Sequence, residues 1–526
     1  MTAKISVPVR TLIWLACAIA GASLASLLLQ QDANWDLQNY HFYNPHAFIN
    51  DRLDWDIAPA QLQTFHNPLL DLPFYWAVRA DLKPQWIAVL LALPVGIAGF
   101  FLFLIVSRLF RGWTVPHWRM YAGLALVLGL TGSAGVPLIG STMNDWSGAM
   151  LIMVAIWLLL IAHRIEGDRK WVAISFAGLC AGFATGLKLT SAYCVLALCI
   201  ALLATVRPFS YRAVPHALAF TGMAALGFVT TAGFWLWKMY VRFGNPLFPY
   251  FNDWFQSPWW ELAPLRSPHI PQSLFDALVL PFRLFRHNQG VVGEIAFRDW
   301  RVPLVLIVAL AAFTVRRTQI RLVAFKPPTI NWEWRFVITF WFIAFIVWMG
   351  EHAIYRYIIP LELLSGAMIV FLLCITLPSR AQLPAAIVVA GVVVASTTYP
   401  NWWRVPFREH FFEIAAPKLP DNAMVLIVHD TPIAYVIPFF DPKIRWIGVM
   451  TNINKPWHNN LLAQQTRNVI TSHTGPFYSM QSWAGVGDDI LAVYGLEKQR
   501  DTCTPIRTNM PHVPIVLCEL RSSSNK

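Results

Sequence analysis

Four short stretches place charged or phenolic side chains in a sequence that otherwise avoids charge. The first is Trp35-Asp36-Leu37-Gln38-Asn39-Tyr40-His41, where the Asp36 carboxylate could take a proton from an attacking hydroxyl or amine within hydrogen-bond reach. Asp36, Tyr40 and Tyr43 are spaced i, i+4, i+7, which predicts one face of a short helix interrupted at Pro45. Together with His41, that face could contact an acceptor. A helix cap or a solvated loop acid is the plainer reading, because Asp32, Asp51, Asp54, Asp56, Asp71 and Asp81 share the segment. The second stretch is Asn144-Asp145, whose acid could share an acceptor or a metal with Asp36 or simply favour a helix N-terminus. The third is Lys188, in Gly186-Leu187-Lys188-Leu189-Thr190-Ser191, a lone ammonium suited to phosphate or to snorkelling. The fourth is Arg356-Tyr357: the planar guanidinium fork fits phosphate, and Glu351 and Glu362 are the alternative partners.

The elements that must position these groups are membrane helices. Of the 526 residues 56% are hydrophobic and only 13% charged, about half the charge expected of a soluble domain. Apolar runs at residues 11–29, 85–107, 119–138, 145–162, 171–187, 189–206, 214–237, 302–315, 336–350, 353–377 and 384–399 predict about eleven transmembrane helices. The first reads as an uncleaved anchor, with a signal peptide as the competing reading. Basic residues mark alternate connectors: Arg108, Arg111 and Arg119; Arg164, Arg169 and Lys170; Arg207 and Arg212; Arg316, Arg317, Arg321, Lys326 and Arg335. With Lys4 and Arg10 they predict a multi-pass inner-membrane protein with a cytoplasmic N-terminus and an extracytoplasmic C-terminal tail. The net charge of +12 is dispersed over helix ends, which argues against nucleic acid as a partner.

Three polar segments interrupt the helical pattern, at 31–83, 238–301 and 401–526. The first two are expected to be outer loops of a membrane domain spanning residues 1–400. Helices are predicted near 60–65 and over 271–287, the latter kinked at Pro281 and lying in the interface plane. In the tail, β-prone runs at 423–429, 444–450, 490–496 and 514–518 and a helix over 459–472 predict a small α/β domain, 401–526. Five cysteines fall in predicted spans. Cys503 and Cys518 remain, in a tail whose compartment would permit a disulfide.

In combination these stretches resemble the GT-C superfamily of polytopic membrane glycosyltransferases. The likeness covers about residues 11–400 and rests on Trp35-Asp36-Leu37-Gln38-Asn39-Tyr40, Asn144-Asp145, Gly186-Leu187-Lys188-Leu189-Thr190-Ser191, Gly244-Asn245-Pro246 and Tyr355-Arg356-Tyr357 with Pro360. The resemblance implies a hexosyl- or pentosyltransferase that moves a sugar from a polyprenyl-phosphate donor to a glycan, lipid or protein acceptor of the envelope, among membrane lipids. Asp36 would be the base, assisted by Asp145; Arg356, Tyr357 and Lys188 would hold the donor phosphate. Many relatives carry Asp-Glu where this chain has Asp36-Leu37, and a divalent metal stays an open cofactor with unknown ligands. A transporter or flippase, or a polysaccharide polymerase or ligase, is the alternative reading. Conspicuous polar groups collect at helix ends rather than at mid-membrane depth, which favours surface chemistry.

Overall fold

The computed structural model describes residues 9–111, 117–205, 213–287, 290–317, 330–510 and 513–523. Lys4, Arg207, Arg212, Arg321 and Lys326 lie outside them, as does the Arg316 side chain. Helices α1 (Val9–Leu29), α2 (Tyr43–Ile49), α3 (Leu72–Arg79) and α4 (Pro84–Arg111) are followed by α5 (Trp118–Leu130), α6 (Asp145–Ala162), α7 (Asp168–Leu187), α8 (Ala192–Thr205) and α9 (Val214–Phe243). Then come α10 (Asn252–Phe255), α11 (Leu274–Arg283), α12 (Arg301–Arg317), α13 (Trp332–Glu351), α14 (Ile359–Thr376) and α15 (Ser379–Ser396). Among the described residues eight helices are long and apolar enough to cross a membrane, and α5, α8 and α12 are shorter apolar helices, so the expected spans all have a helical counterpart. The third span is shorter than its apolar run suggested: α5 stops at Leu130, and residues 131–144 form turns.

The chain forms two compact units. One comprises residues 1–29, 92–232 and 266–402; the other comprises 30–91, 233–265 and 403–526. This division differs from a single cut at residue 400, because the first outer segment and half of the second belong with the tail.

In the helical unit α14 is the central element. Every residue from Ile359 to Ile375 is buried, as an all-round apolar helix requires. Glycines let neighbouring helices approach closely. Gly178, Gly182 and Gly186 fall every fourth residue along α7; a Cβ would stand 2.2 Å from the Phe220 carbonyl oxygen at Gly178 and 2.0 Å from that of Ala224 at Gly182, both on α9. A buried ion pair, Asp299 with Arg301, lies just before and at the start of α12. Arg301 donates to the carbonyl oxygens of Leu128 and Thr131 at 2.6 and 2.7 Å, and Asp299 accepts from the Ser133 amide at 2.9 Å. Glu362 accepts from the Ala134 and Gly135 amides at 2.8 Å each. These charges therefore hold the turn-rich 131–135 segment by hydrogen bonds its backbone lacks internally.

The second unit is built on the sheet of the tail, with the short ribbon β1 (Gln31–Asp32) and β2 (Arg404–Val405) beside it in sequence. Strands β3 (Met424–Ile427), β4 (Arg445–Gly448), β5 (Phe477–Gln481), β6 (Leu496–Lys498), β7 (Thr504–Ile506) and β8 (Ile515–Ser522) form one sheet. β3 pairs in parallel with β4 and β5, and β8 pairs antiparallel with β5, β6 and β7. All four residues of β3 are buried, so both faces are covered. Val425 and Ile427 join a core with Leu37, Phe42, Tyr43, Phe74 and Tyr75, whereas Met424 and Leu426 join one with Leu53, Phe65, Trp235, Phe243 and Phe248. The first polar segment thus packs on both faces of the sheet, joined on one of them by residues 235–248, following the alternation of strand side chains.

Several local expectations change. Pro45 does not interrupt a helix; it lies in the first turn of α2, where its missing N–H has no helical partner to lose. A π turn spans Leu37–His41, and its wider winding removes the single α-helical face assumed for Asp36, Tyr40 and Tyr43. The apolar run at 490–496 is mostly helix α17 (Asp488–Val493), which follows Gly487 at φ 86° and opens on two aspartates that favour a helix start. Helix α16 (Leu461–Thr471) stands at the expected place, with Asn460 as its cap. Strand β5 was not expected, because its buried Ser479 and Gln481 break the apolar pattern. Cys503 and Cys518 are joined by a disulfide with an S–S distance of 1.99 Å.

Candidate functional site

Three interruptions of the helical unit bring Asp145, Lys188, Arg356 and Tyr357 together. Asn144, left-handed at φ 63°, ends the preceding turn and starts α6 on Asp145. Lys188 is extended, at φ −147° and ψ 107°, so α7 stops at Leu187 and the chain re-enters a helix only after the 3-10 turn Leu189–Ser191. Arg356 and Tyr357 occupy the 3-10 turn Tyr355–Ile358, and Pro360 in the first turn of α14 needs no N–H partner. Helix ends free these side chains from the apolar packing that each helix interior demands.

The Lys188 ammonium donates to Asp145 Oδ1 at 2.5 Å and to the Met143 carbonyl oxygen at 2.6 Å. It also lies 5.3 Å from the centre of the Tyr357 ring, and the Arg356 guanidinium lies 5.1 Å from the same centre. Both distances are within cation–π range. Arg356 has a second aromatic neighbour, Trp402, at 5.8 Å. Of the expected alternative partners of Arg356, Glu362 accepts from two backbone amides, and Glu351 stands 3.8 Å from His352 Nδ1, beyond hydrogen-bond distance. Tyr193 fixes this edge by donating from its hydroxyl to the Tyr357 carbonyl oxygen at 2.8 Å. Asp145, Lys188, Thr190, Ser191, Tyr193 and Tyr357 line a small cavity there. Asp145 Oδ2 is buried with no hydrogen-bond partner, and the Lys188 side chain is 18% exposed.

Two cations sharing one phenol ring beside a carboxylate can receive an anion with delocalised charge, the guanidinium through paired N–H donors and the ammonium as a point charge. The arrangement does not suit a divalent metal at Asp145, because the ammonium already holds its Oδ1. Among the described residues no group of three or more His, Cys, Asp or Glu side chains is placed to hold one.

Asp36, Tyr40, His41 and Tyr43 belong to the other unit. Asp36 is buried at the start of the π turn. Asn34 orders the entry to that turn by accepting from the Leu37 amide at 2.8 Å, and Gln38 donates to the Ala33 carbonyl oxygen at 2.7 Å. His41 Nδ1 is 2.8 Å from Asp71 Oδ1, and the Tyr40 ring lies 4.1 Å from the His41 ring. Tyr43 is fully buried and donates to Asp56, which Arg52 holds through two nitrogens at 2.8 and 2.9 Å. Burial, followed by the Asp56 charge, pushes the Tyr43 phenol well above its ordinary range, so it is a neutral prop of the loop. The Asp299–Arg301 pair and the α7 glycine seam were missed in the sequence. Asp299-Trp300-Arg301 at the edge of an apolar run and the fourfold glycine spacing were the available signals.

No protein-family model and no curated protein matches the sequence. Two crystal structures of ArnT from Cupriavidus metallidurans, one bound to undecaprenyl phosphate and one in the apo state, each match at a TM-score of 0.51 and 12% identity. The match covers 98% of this chain and 98% of each ArnT chain. The chain shares the fold of ArnT. This likeness of fold covers the tail sheet as well as the helices, beyond the 11–400 span over which the sequence motifs ran.

Proposed function

We propose that the protein is a glycosyltransferase of the inner membrane that moves a hexosyl or pentosyl group from a polyprenyl-phosphate donor to an envelope acceptor on the extracytoplasmic side. The observation that carries this reading is the pair of cations, Lys188 and Arg356, 5.3 and 5.1 Å from the centre of the Tyr357 ring, where Lys188 and Tyr357 line a helix-end cavity. The full-length likeness to ArnT, solved with undecaprenyl phosphate, supports it. In the reaction the acceptor hydroxyl or amine attacks the anomeric carbon while the bond from that carbon to the phosphate oxygen breaks. Asp36 takes the acceptor proton as the base, and polyprenyl phosphate leaves with the bonding pair. Lys188 and Arg356 stabilise the growing phosphate charge, and Asp145 aims the ammonium. A displacement of this kind inverts the anomeric centre.

The test follows radiolabelled sugar from a polyprenyl-phosphate donor pool in membranes carrying the full chain. Asp36→Asn should abolish transfer at unchanged membrane abundance. Near-normal transfer by that variant refutes the base, and absence of donor consumption by the unaltered protein refutes the transferase reading.

A further inference from the structure

The loop-and-sheet unit contains an open cavity of about 540 Å³, inside the range of roughly 300–1,000 Å³ usual for small-molecule sites. One wall is the 256–262 loop, the other residues 457–460. Both walls are fixed from behind. The buried Asn252 amide nitrogen donates to the carbonyl oxygens of Ser257, Trp260 and Glu261 at 3.0, 3.1 and 3.1 Å, pinning the first loop. Arg467 donates to the carbonyl oxygens of Pro456 and His458 at 3.1 Å each, pinning the second. The Leu461 amide joins them through the Pro258 carbonyl oxygen at 2.9 Å.

The groups left facing the cavity have a distinct chemistry. Trp457 is 59% exposed, a large apolar face that folding leaves uncovered. His458 sits edge-on between Trp260, at 5.7 Å, and Trp457, at 6.5 Å, and its Nε2 is 3.3 Å from Glu261 Oε1. The Glu261 side chain is 54% exposed and keeps accepting capacity. Asn460 spends its oxygen capping α16, 2.9 Å from the Ala463 amide, and its Nδ2 is buried without a hydrogen-bond partner. A single carboxylate is too little for a divalent cation and unfavourable for an anion, while a lipid chain would strand the polar half of the lining. A ring with one apolar C–H face and a rim of hydroxyls satisfies both halves.

We infer that this cavity is a carbohydrate subsite, with a sugar's C–H face against Trp457 and its hydroxyls on Glu261 and Asn460. The inference rests on the glycan branch of the proposed function, for which the subsite would hold the acceptor.

The test presents an array of immobilised neutral oligosaccharides, ending in glucose, galactose, mannose or N-acetylhexosamine, to the full chain in lipid nanodiscs without any lipid-linked donor. Retention of a subset is expected, reduced at least tenfold by Trp457→Ala and severalfold by Glu261→Gln. Trp254, 80% exposed and outside the cavity lining, serves as control, and Trp254→Ala should retain the same glycans. A thermal scan of each variant separates lost binding from lost folding; Trp457 is exposed, so its truncation should leave the scan unchanged. Three outcomes overturn the subsite: no glycan retained by the unaltered protein, retention untouched by Trp457→Ala, or equal loss on Trp254→Ala, which would mark a general membrane-interface effect of exposed indoles. Binding is read without donor, so the subsite can fail while sugar transfer persists, and transfer can fail while glycans are still retained.

Discussion

Two of the acid–base pairs in the helical unit are similar in length and opposite in character. Asp299 and Arg301 are both 0% exposed, and the guanidinium also meets carbonyl oxygens of Leu128 and Thr131 and the Thr397 hydroxyl. Nothing about that pair is open to a ligand; it holds backbone. Asp145 and Lys188 are equally close, yet the lysine is partly exposed, one carboxylate oxygen lacks a partner, and a cavity borders both. Burial alone therefore does not mark a functional charge. What distinguishes the second pair is unsatisfied capacity next to space, since a structural ion pair is stable only when its remaining donors and acceptors are all used.

The largest effects should separate the two pairs. Lys188→Met should lower sugar transfer about 100- to 1,000-fold, the loss typical of one transition-state donor, with normal membrane abundance. Arg301→Met should instead cost about 3–5 kcal/mol by leaving Asp299 uncompensated, seen as loss of folded protein in size-exclusion profiles. If Arg301→Met folds normally and Lys188→Met does not, the distinction is reversed. A smaller effect concerns geometry within the site. Arg356→Lys keeps the charge but removes the fork, and the donor KM should rise about tenfold, near 1.4 kcal/mol, with the acceptor KM unmoved. Equal change in both constants would make Arg356 a structural cation like Arg301.

A separate effect tests the other unit, where His46 is pushed down to about 4 by burial, with Arg52 and Arg79 adding to the shift. The unfolded chain takes up that proton from about pH 6.5 downward and the folded one only near pH 4, so stability is full above pH 6.5 and declines as pH falls. The decline attributable to His46 reaches at most about 3 kcal/mol. Thermal midpoints measured from pH 7 to 4.5 should fall less steeply in His46→Asn, and parallel slopes would rule this out.

Much of the architecture was legible because the membrane imposes a strong rule. A chain with so few charges must bury its backbone polarity in helices, so uninterrupted apolar runs and the helix ends that carry Asp145, Lys188, Arg356 and Tyr357 could be read from residue order, whereas their coming together could not. The α/β tail was legible in its apolar strands, β3, β4 and β8, and hidden in β5, whose Ser479 and Gln481 break the apolar pattern and whose strand partners β3 and β8 are distant in sequence. Which unit the first loop joins, that Tyr43 serves Asp56, that Arg301 binds backbone while Lys188 borders a cavity, and that Trp260 and Trp457 face one cavity were decided by tertiary structure alone. The physical reason is that sequence fixes a side chain's chemistry and its place along one element, whereas the partners that satisfy it come from elements separated by hundreds of residues.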